Sequence, residues 1–177
     1  IKNPEYDLSI KAQTITIQNL VASIQNAPDL EGILDADFTV KGVSDALVMK
    51  GTASARNFGM HDTFAFQQAD TKFLFEKKRF FLSPLRLKTA GAIVEGTATL
   101  SLDKSFSCRL DGRNLNIAEL LPEKTQNFLT KRNIRTLLIP SVHLAGTGTF
   151  DRPSISMQGE FFSNASRGQS IGKGTFT

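Results

Sequence analysis

Apolar and polar residues alternate with a period of two along most of this chain. Between positions 34 and 41, one side carries Leu34, Ala36, Phe38 and Val40, and the other carries Asp35, Asp37, Thr39 and Lys41. The same alternation recurs over residues 47–56, 92–102, 106–112, 142–150 and 155–161. Such alternation is typical of strands with one buried face, and short turns between strands favour antiparallel pairing. We therefore predict a mostly-β meander of roughly ten or eleven strands.

One strand changes phase in its middle. Phe64 and Phe66 share a side, and after Gln67-Gln68 the stripe resumes at Ala69 and continues through Thr71, Phe73 and Phe75. A phase change inside a strand indicates a β-bulge. After a turn at Lys77-Lys78, the next stripe is expected to run through Phe81, Ser83, Leu85 and Leu87, and the first thirty residues are expected to be extended.

One interruption of the strand pattern is helical. The pattern predicts a short turn over 117–121 and a helix over 122–132, with Pro122 at its first position. Leu121, Thr125, Phe128 and Leu129 give that helix one apolar side. We interpret residues 1–177 as a single segment of an elongated β-repeat protein with this insertion at about 117–132. Ile1 and the strand-like last residues suggest a piece of a longer chain.

Composition restricts the chemistry. The chain has 14 Phe, one Tyr and no Trp, which indicates apolar surface with few polar contacts. A single cysteine, Cys108, excludes an intramolecular disulfide, and a net charge of +4 without a concentrated basic stripe gives little support for nucleic-acid binding. No apolar run approaches the length of a membrane-spanning helix.

Candidate catalytic groups are sparse. His61 and His143 stand far apart in sequence without a nearby ligand partner, and we interpret both as solvated. Asp35 and Asp37 share one polar side and are expected to be solvated rather than an acid–base pair. The Gly-rich run 168–174 departs from the phosphate-loop pattern and predicts a hairpin turn. We expect no catalytic residue, no metal site and no cofactor, and hence no enzyme.

Glycine-spaced hairpins carry a family resemblance. A strand, a tight turn and a strand of the form apolar-x-Met-x-Gly occur at 37–51 and again at 145–159. These hairpins, the stretch 91–103 and the Leu-x-Gly-x-Asn-Leu-x-Ile-x-x-Leu-Leu-Pro stretch at 110–122 resemble the AsmA-like superfamily, nearest to its TamB and YhdP type. The resemblance implies a long, curved antiparallel sheet with an apolar interior, a β-taco-like trough. It implies proteins of the Gram-negative periplasm, anchored in the inner membrane, that carry phospholipids between membranes and support outer-membrane protein assembly.

Two architectures fit the apolar stripe. One is a closed β-sandwich, and the other is a trough that is only partly filled. Long alternation with the small residues Ala36, Ala53, Ala55, Ala92 and Ala98 favours the trough, because small side chains leave space.

The resulting hypothesis is non-catalytic lipid handling, with phospholipid acyl chains as the ligand. The expected lining residues are Phe38, Met49, Phe64, Phe66, Phe73, Leu85, Leu87, Val94, Leu100, Leu110, Leu144 and Met157. An alternative is a β-augmentation scaffold or chaperone for outer-membrane proteins, with an outer-membrane β-barrel assembly protein as partner. A third is a closed sandwich with an adhesive or structural role. The membrane anchor is expected outside this segment.

Overall fold

A computed structural model describes residues 4–22, 29–43, 46–60, 64–89, 91–116, 120–121, 123–131, 134–149, 151–165 and 170–176. Ten strands form one antiparallel sheet in which each strand pairs with its neighbours in the sequence. Their bounds are β1 Glu5–Thr16, β2 Leu30–Val43, β3 Val48–Met60, β4 Phe64–Glu76, β5 Arg79–Lys88, β6 Ile93–Ser101, β7 Ser105–Asn116, β8 Ile134–Thr149, β9 Arg152–Ala165 and β10 Ser170–Phe176. The order runs from β1 to β10, so the sheet is an open meander with β1 and β10 at its edges.

Two helices accompany the sheet in the described residues. Helix α1 covers Ile17–Val21 and contacts β1 and β2, and helix α2 covers Glu123–Lys131 and contacts β8. Helix α2 agrees with the predicted insertion to within one residue at each end. Helix α1 corrects the expectation that the first thirty residues are extended, because one helical turn follows β1 directly.

The register defines two faces of the sheet. The apolar face carries Val40, Ala55, Leu87, Val94 and Val142, which are all buried. The polar face carries the intervening charged and hydroxyl-bearing residues. A side chain on a flat, uncovered sheet keeps water above it. No second sheet faces these residues in the described part of the chain, and their 6–8% exposure fits an apolar face that curves over itself. The trough is therefore the observed architecture, and the closed sandwich is not.

The phase change predicted in β4 is confirmed. Phe66 and Ala69, three positions apart, both pack against the same buried cluster. The pairing of β4 with β3 keeps one register from Phe66 to Ala69, so the predicted β-bulge does not accompany the phase change in this pairing. The turn predicted at Lys77-Lys78 is also confirmed, and both residues have the positive φ angles, 47° and 64°, that a two-residue hairpin requires.

The stripe predicted for β5 is wrong in its first half. Phe80 pairs with Phe75, and Leu82 pairs with Phe73, so Phe80 and Leu82 lie on the apolar face instead of Phe81 and Ser83. The register then shifts, and Leu85 and Leu87 lie on the apolar face as expected. Pro84 has no N–H to donate to the ladder, which explains why the pairing is interrupted at this point.

Candidate functional site

Continuous rows of apolar residues cross the sheet from one strand to the next. One row contains Leu8, Val40, Met49, Phe75, Phe80, Leu100 and Phe106. The next contains Ile10, Phe38, Gly51, Phe73, Leu82, Ala98 and Cys108. Further rows continue toward the helices through Leu85 and Leu110, and then through Leu87 and Val94. The apolar face is thus one uninterrupted surface across many strands.

The register brings the sequence-predicted lining residues together. The residues on the apolar face are Phe38, Met49, Phe66, Phe73, Leu85, Leu87, Val94, Leu100, Leu110, Leu144 and Met157. The backbone of Phe64 pairs with Met60, and the side chain of Phe64 lies outside the described residues. Leu87 and Val94 are each 7% exposed, whereas Met157 is 44% exposed.

An aromatic cluster lies at the end of the apolar face remote from the helices. The ring centroids of Phe38 and Phe73 are 5.8 Å apart, those of Phe73 and Phe80 are 6.4 Å apart, and those of Phe75 and Phe80 are 4.6 Å apart. The tilted planes suit the ring quadrupoles. Sequence reasoning left Phe75 out of the lining set and placed Phe80 on the other face. Because Phe80, Phe81 and Leu82 are all apolar, the sequence pattern does not show which of them lie on the apolar face, and Phe80 was therefore missed.

The apolar face becomes exposed toward the margins of the sheet. On β1, Tyr6, Leu8 and Ile10 are 37%, 49% and 37% exposed, and on β9, Ile155 is 63% exposed. The central strands bury the same face. A curved sheet produces this gradient, because its central strands form the floor and its outer strands form the rims.

The polar face carries a row of charged and hydroxyl-bearing side chains in register. The row consists of Asp35, Ser54, Asp70, Arg86, Glu95, Asp111 and His143. Ion pairs join Arg86 to Glu95 at 2.6 Å and Arg56 to Asp35 at 3.2 Å, and His143 Nδ1 contacts the carboxylate of Asp111. These side chains are about half exposed or more except for Asp35 and Asp70, so each pair contributes little stability.

Asp70 is the titratable group of this row with a clear shift. Its partial burial acts to raise the pKa, but hydrogen bonds from the Ser54 hydroxyl and the Gln68 amide, together with the charge of Lys88, outweigh it. The pKa of Asp70 therefore lies below its ordinary value.

Other candidate chemistry is limited in the described part of the chain. His143 lies on the polar face as expected, and Asp111 is its partner across the sheet, a pairing that sequence spacing alone did not reveal. His61 and most of the run 168–174 lie outside the described residues. Among the described residues, no group of three or more histidine, cysteine or acidic side chains is placed so that it could hold a metal ion. Within the same residues, neither helix has the length and apolar character needed to cross a membrane.

Comparisons with known proteins give no relative for this chain. No protein-family model, no curated protein and no solved structure matches it. The functional interpretation therefore depends on the geometry of the sheet and on the sequence resemblance alone.

Proposed function

We propose that this chain is a non-catalytic lipid-handling module whose apolar trough shields phospholipid acyl chains from water. The observation that carries the proposal is the open sheet with a continuous apolar face, buried along its floor and exposed at its rims. A contiguous apolar surface that reaches the solvent typically marks a binding site.

The dimensions of the apolar face suit acyl tails. From Leu34 to Val40 along β2 the face extends about 20 Å at ~3.3 Å per residue. One leaflet of a bilayer core is about 15 Å thick, half of the ~30 Å hydrocarbon core. Each buried methylene contributes about 0.8 kcal/mol, so a tail of about 16 carbons would gain on the order of 10 kcal/mol. This attraction lacks polar anchors, so it would hold a tail without fixing it at one place.

The setting of this function follows from the sequence resemblance to AsmA-like proteins. We propose a periplasmic location in the Gram-negative envelope, with the inner-membrane anchor outside this segment and transport of phospholipid between the inner and outer membranes. Support of outer-membrane protein assembly belongs to the same proposal.

The test compares neighbouring residues on opposite faces of β6. Leu100 lies on the apolar face beside Phe80 and Phe106, and Thr99 lies on the polar face between Phe81 and Ser107. We expect native mass spectrometry to find phospholipid on the purified chain and on Thr99→Asp, and to find it strongly reduced on Leu100→Asp. Transfer of labelled phospholipid between vesicles should follow the same order.

Circular dichroism would establish that both variants keep their strands. Unchanged lipid binding and transfer by a folded Leu100→Asp variant would contradict the proposal, because a charge would then be tolerated in the middle of the apolar surface.

The edge strand β1 favours a second candidate function. In the described residues β1 pairs with β2 alone, so the backbone groups on its outer side are available to another strand. Its residues Tyr6, Leu8 and Ile10 would extend the apolar face onto an added strand. β-Augmentation of an unfolded outer-membrane strand would use this edge. Crosslinks from β1 to a peptide, without lipid on the apolar face, would favour this function over lipid handling.

A further inference from the structure

The helix-side end of the apolar face is filled by the protein itself. Leu87, Ala92, Val94, Leu115, Ile139 and Val142 form one buried cluster there, each between 5% and 8% exposed. We call these six residues the helix-side cluster. Phe58, Phe66 and Leu120 pack against it from other parts of the chain. Space that a ligand could use is therefore occupied at this end.

Gly112 shows how closely the cluster is packed. A Cβ added to Gly112 would lie 2.9 Å from Val142 Cγ1 and 3.3 Å from Val94 Cγ2, and closer still to Leu115 Cδ1. Three side chains of the helix-side cluster thus fill the volume that the missing side chain leaves. Sequence analysis expected small residues to leave open space, but Ala55 and Ala92 are only 6% and 8% exposed.

Two strands have an irregular backbone at the level of the cluster. Apolar-face positions step by three residues from Ala55 to Phe58 in β3 and from Gly112 to Leu115 in β7. The intervening Asn57 and Asn114 have φ angles of 51° and 54°. At this level Phe58 and Leu115 pack together with Leu87 and Val94.

The other end of the same face is packed differently. We call Phe38, Phe73, Phe75 and Phe80 the aromatic group. They contact one another side by side on the floor and are only half-buried. In the described residues, the main strand-to-helix contacts involve β1, β2 and β8.

We propose that the helix-side cluster is a plug that closes the trough at one end and confines acyl tails to the end lined by the aromatic group. Passage of a tail beyond Val94 then requires the cluster to separate. This inference rests on the proposed lipid-handling function, which it refines by assigning a barrier within the apolar face.

Single tryptophan reporters test the plug, because the chain contains no Trp. Phe80→Trp places the reporter in the aromatic group, Phe58→Trp places it against the helix-side cluster, and Phe81→Trp places it on the polar face as a control. Each folded variant is mixed with vesicles of phosphatidylcholine that carries brominated acyl chains, which quench tryptophan on contact. We expect quenching of Phe80→Trp to be severalfold stronger than that of Phe58→Trp, and quenching of Phe81→Trp to be weakest.

A weakened plug provides the second measurement. Ile139→Val removes one methylene from the cluster and, combined with Phe58→Trp, should raise quenching of that reporter toward the level of Phe80→Trp. Phe66→Trp replaces Phe58→Trp if the latter does not fold, because Phe66 packs against the same cluster.

The outcomes separate the two proposals. Equal quenching at positions 80 and 58 in the unmodified background would overturn the plug and leave lipid handling intact. Quenching at position 58 that Ile139→Val leaves unchanged would also overturn it. Absence of quenching at all three positions would overturn lipid handling itself.

Discussion

The two faces of strand β5 differ sharply in exposure although their residues alternate along one backbone. Leu87 is 7% exposed, whereas the side chains of its neighbours Arg86 and Lys88 are 56% and 40% exposed. Leu87 is covered by the other members of the helix-side cluster, whereas Arg86 and Lys88 reach water. The comparison indicates that stability resides on the apolar face, and that the polar face mainly supplies solubility.

The two faces also differ in what their contacts contribute to the fold. Its ion pairs, such as Arg86 with Glu95, join exposed groups on neighbouring strands. Exposed pairs are screened by water and salt, so each contributes little. The apolar face instead sets the register, because a slip by one residue would move every apolar side chain into water.

The largest predicted contrast is between Leu87→Ala and Arg86→Ala. Leu87→Ala removes a buried side chain from the helix-side cluster, and we expect the free energy of unfolding to fall by about 2–4 kcal/mol. Arg86→Ala removes one partner of an exposed ion pair and should cost less than about 1 kcal/mol. Urea unfolding followed by circular dichroism measures both. Equal losses would mean that the apolar face is not the stabilising one.

A smaller contrast is expected between two glycines. Gly112→Ala adds a methyl group where Leu115, Val142 and Val94 already fill the space, and overpacking of this kind costs about 1–3 kcal/mol. Gly91→Ala is the matched control, because an added Cβ there meets nothing within 4 Å.

Thermal unfolding of the two glycine variants gives the comparison. We expect a lowered midpoint for Gly112→Ala and an unchanged one for Gly91→Ala. A Gly112→Ala variant as stable as the parent would show that the helix-side cluster has room to adjust, which would weaken the argument for a plug.

Strand existence and the apolar face could be predicted from the sequence because a period of two is a local signal. The phase change at Gln67-Gln68 was readable for the same reason, since two consecutive polar residues interrupt the stripe. The phase in β5 was not readable, because Phe80, Phe81 and Leu82 are all apolar and either alternation fits them. Helix α1 was missed because its single turn is too short for a helical period to develop.

The state of the trough could be predicted only in part. The small residues Ala92 and Gly112 were correctly assigned to the apolar side. Whether the space above them is empty depends on other residues, which the local pattern does not show. Leu115 and Ile139 belong to the cluster that fills that space. Asparagine tolerates the positive φ angle of Asn114, but the presence of an asparagine does not predict that angle.

Asp70 provides the smallest predicted effect and a test of the polar face alone. Its folded-state pKa lies below the ordinary 3.8, because Ser54, Gln68 and Lys88 outweigh the opposing effect of burial. A carboxyl with a depressed folded pKa stabilises the fold above its unfolded pKa, and this contribution is lost as the pH falls through the folded pKa. The loss is therefore expected below about pH 4. Because burial offsets part of the effect of these contacts, the contribution is small.

Urea unfolding of the parent, Asp70→Asn and Leu87→Ala at about pH 6 and about pH 3, on either side of the ordinary carboxyl pKa, separates the two faces. Acid should destabilise the parent slightly more than Asp70→Asn, because the amide has no proton to bind. Leu87→Ala should lose the same stability relative to the parent at both pH values, since burial of an apolar side chain does not titrate. If Asp70→Asn retained the full acid sensitivity of the parent, the polar face would contribute nothing through this carboxyl, and the charged row would act on solubility alone.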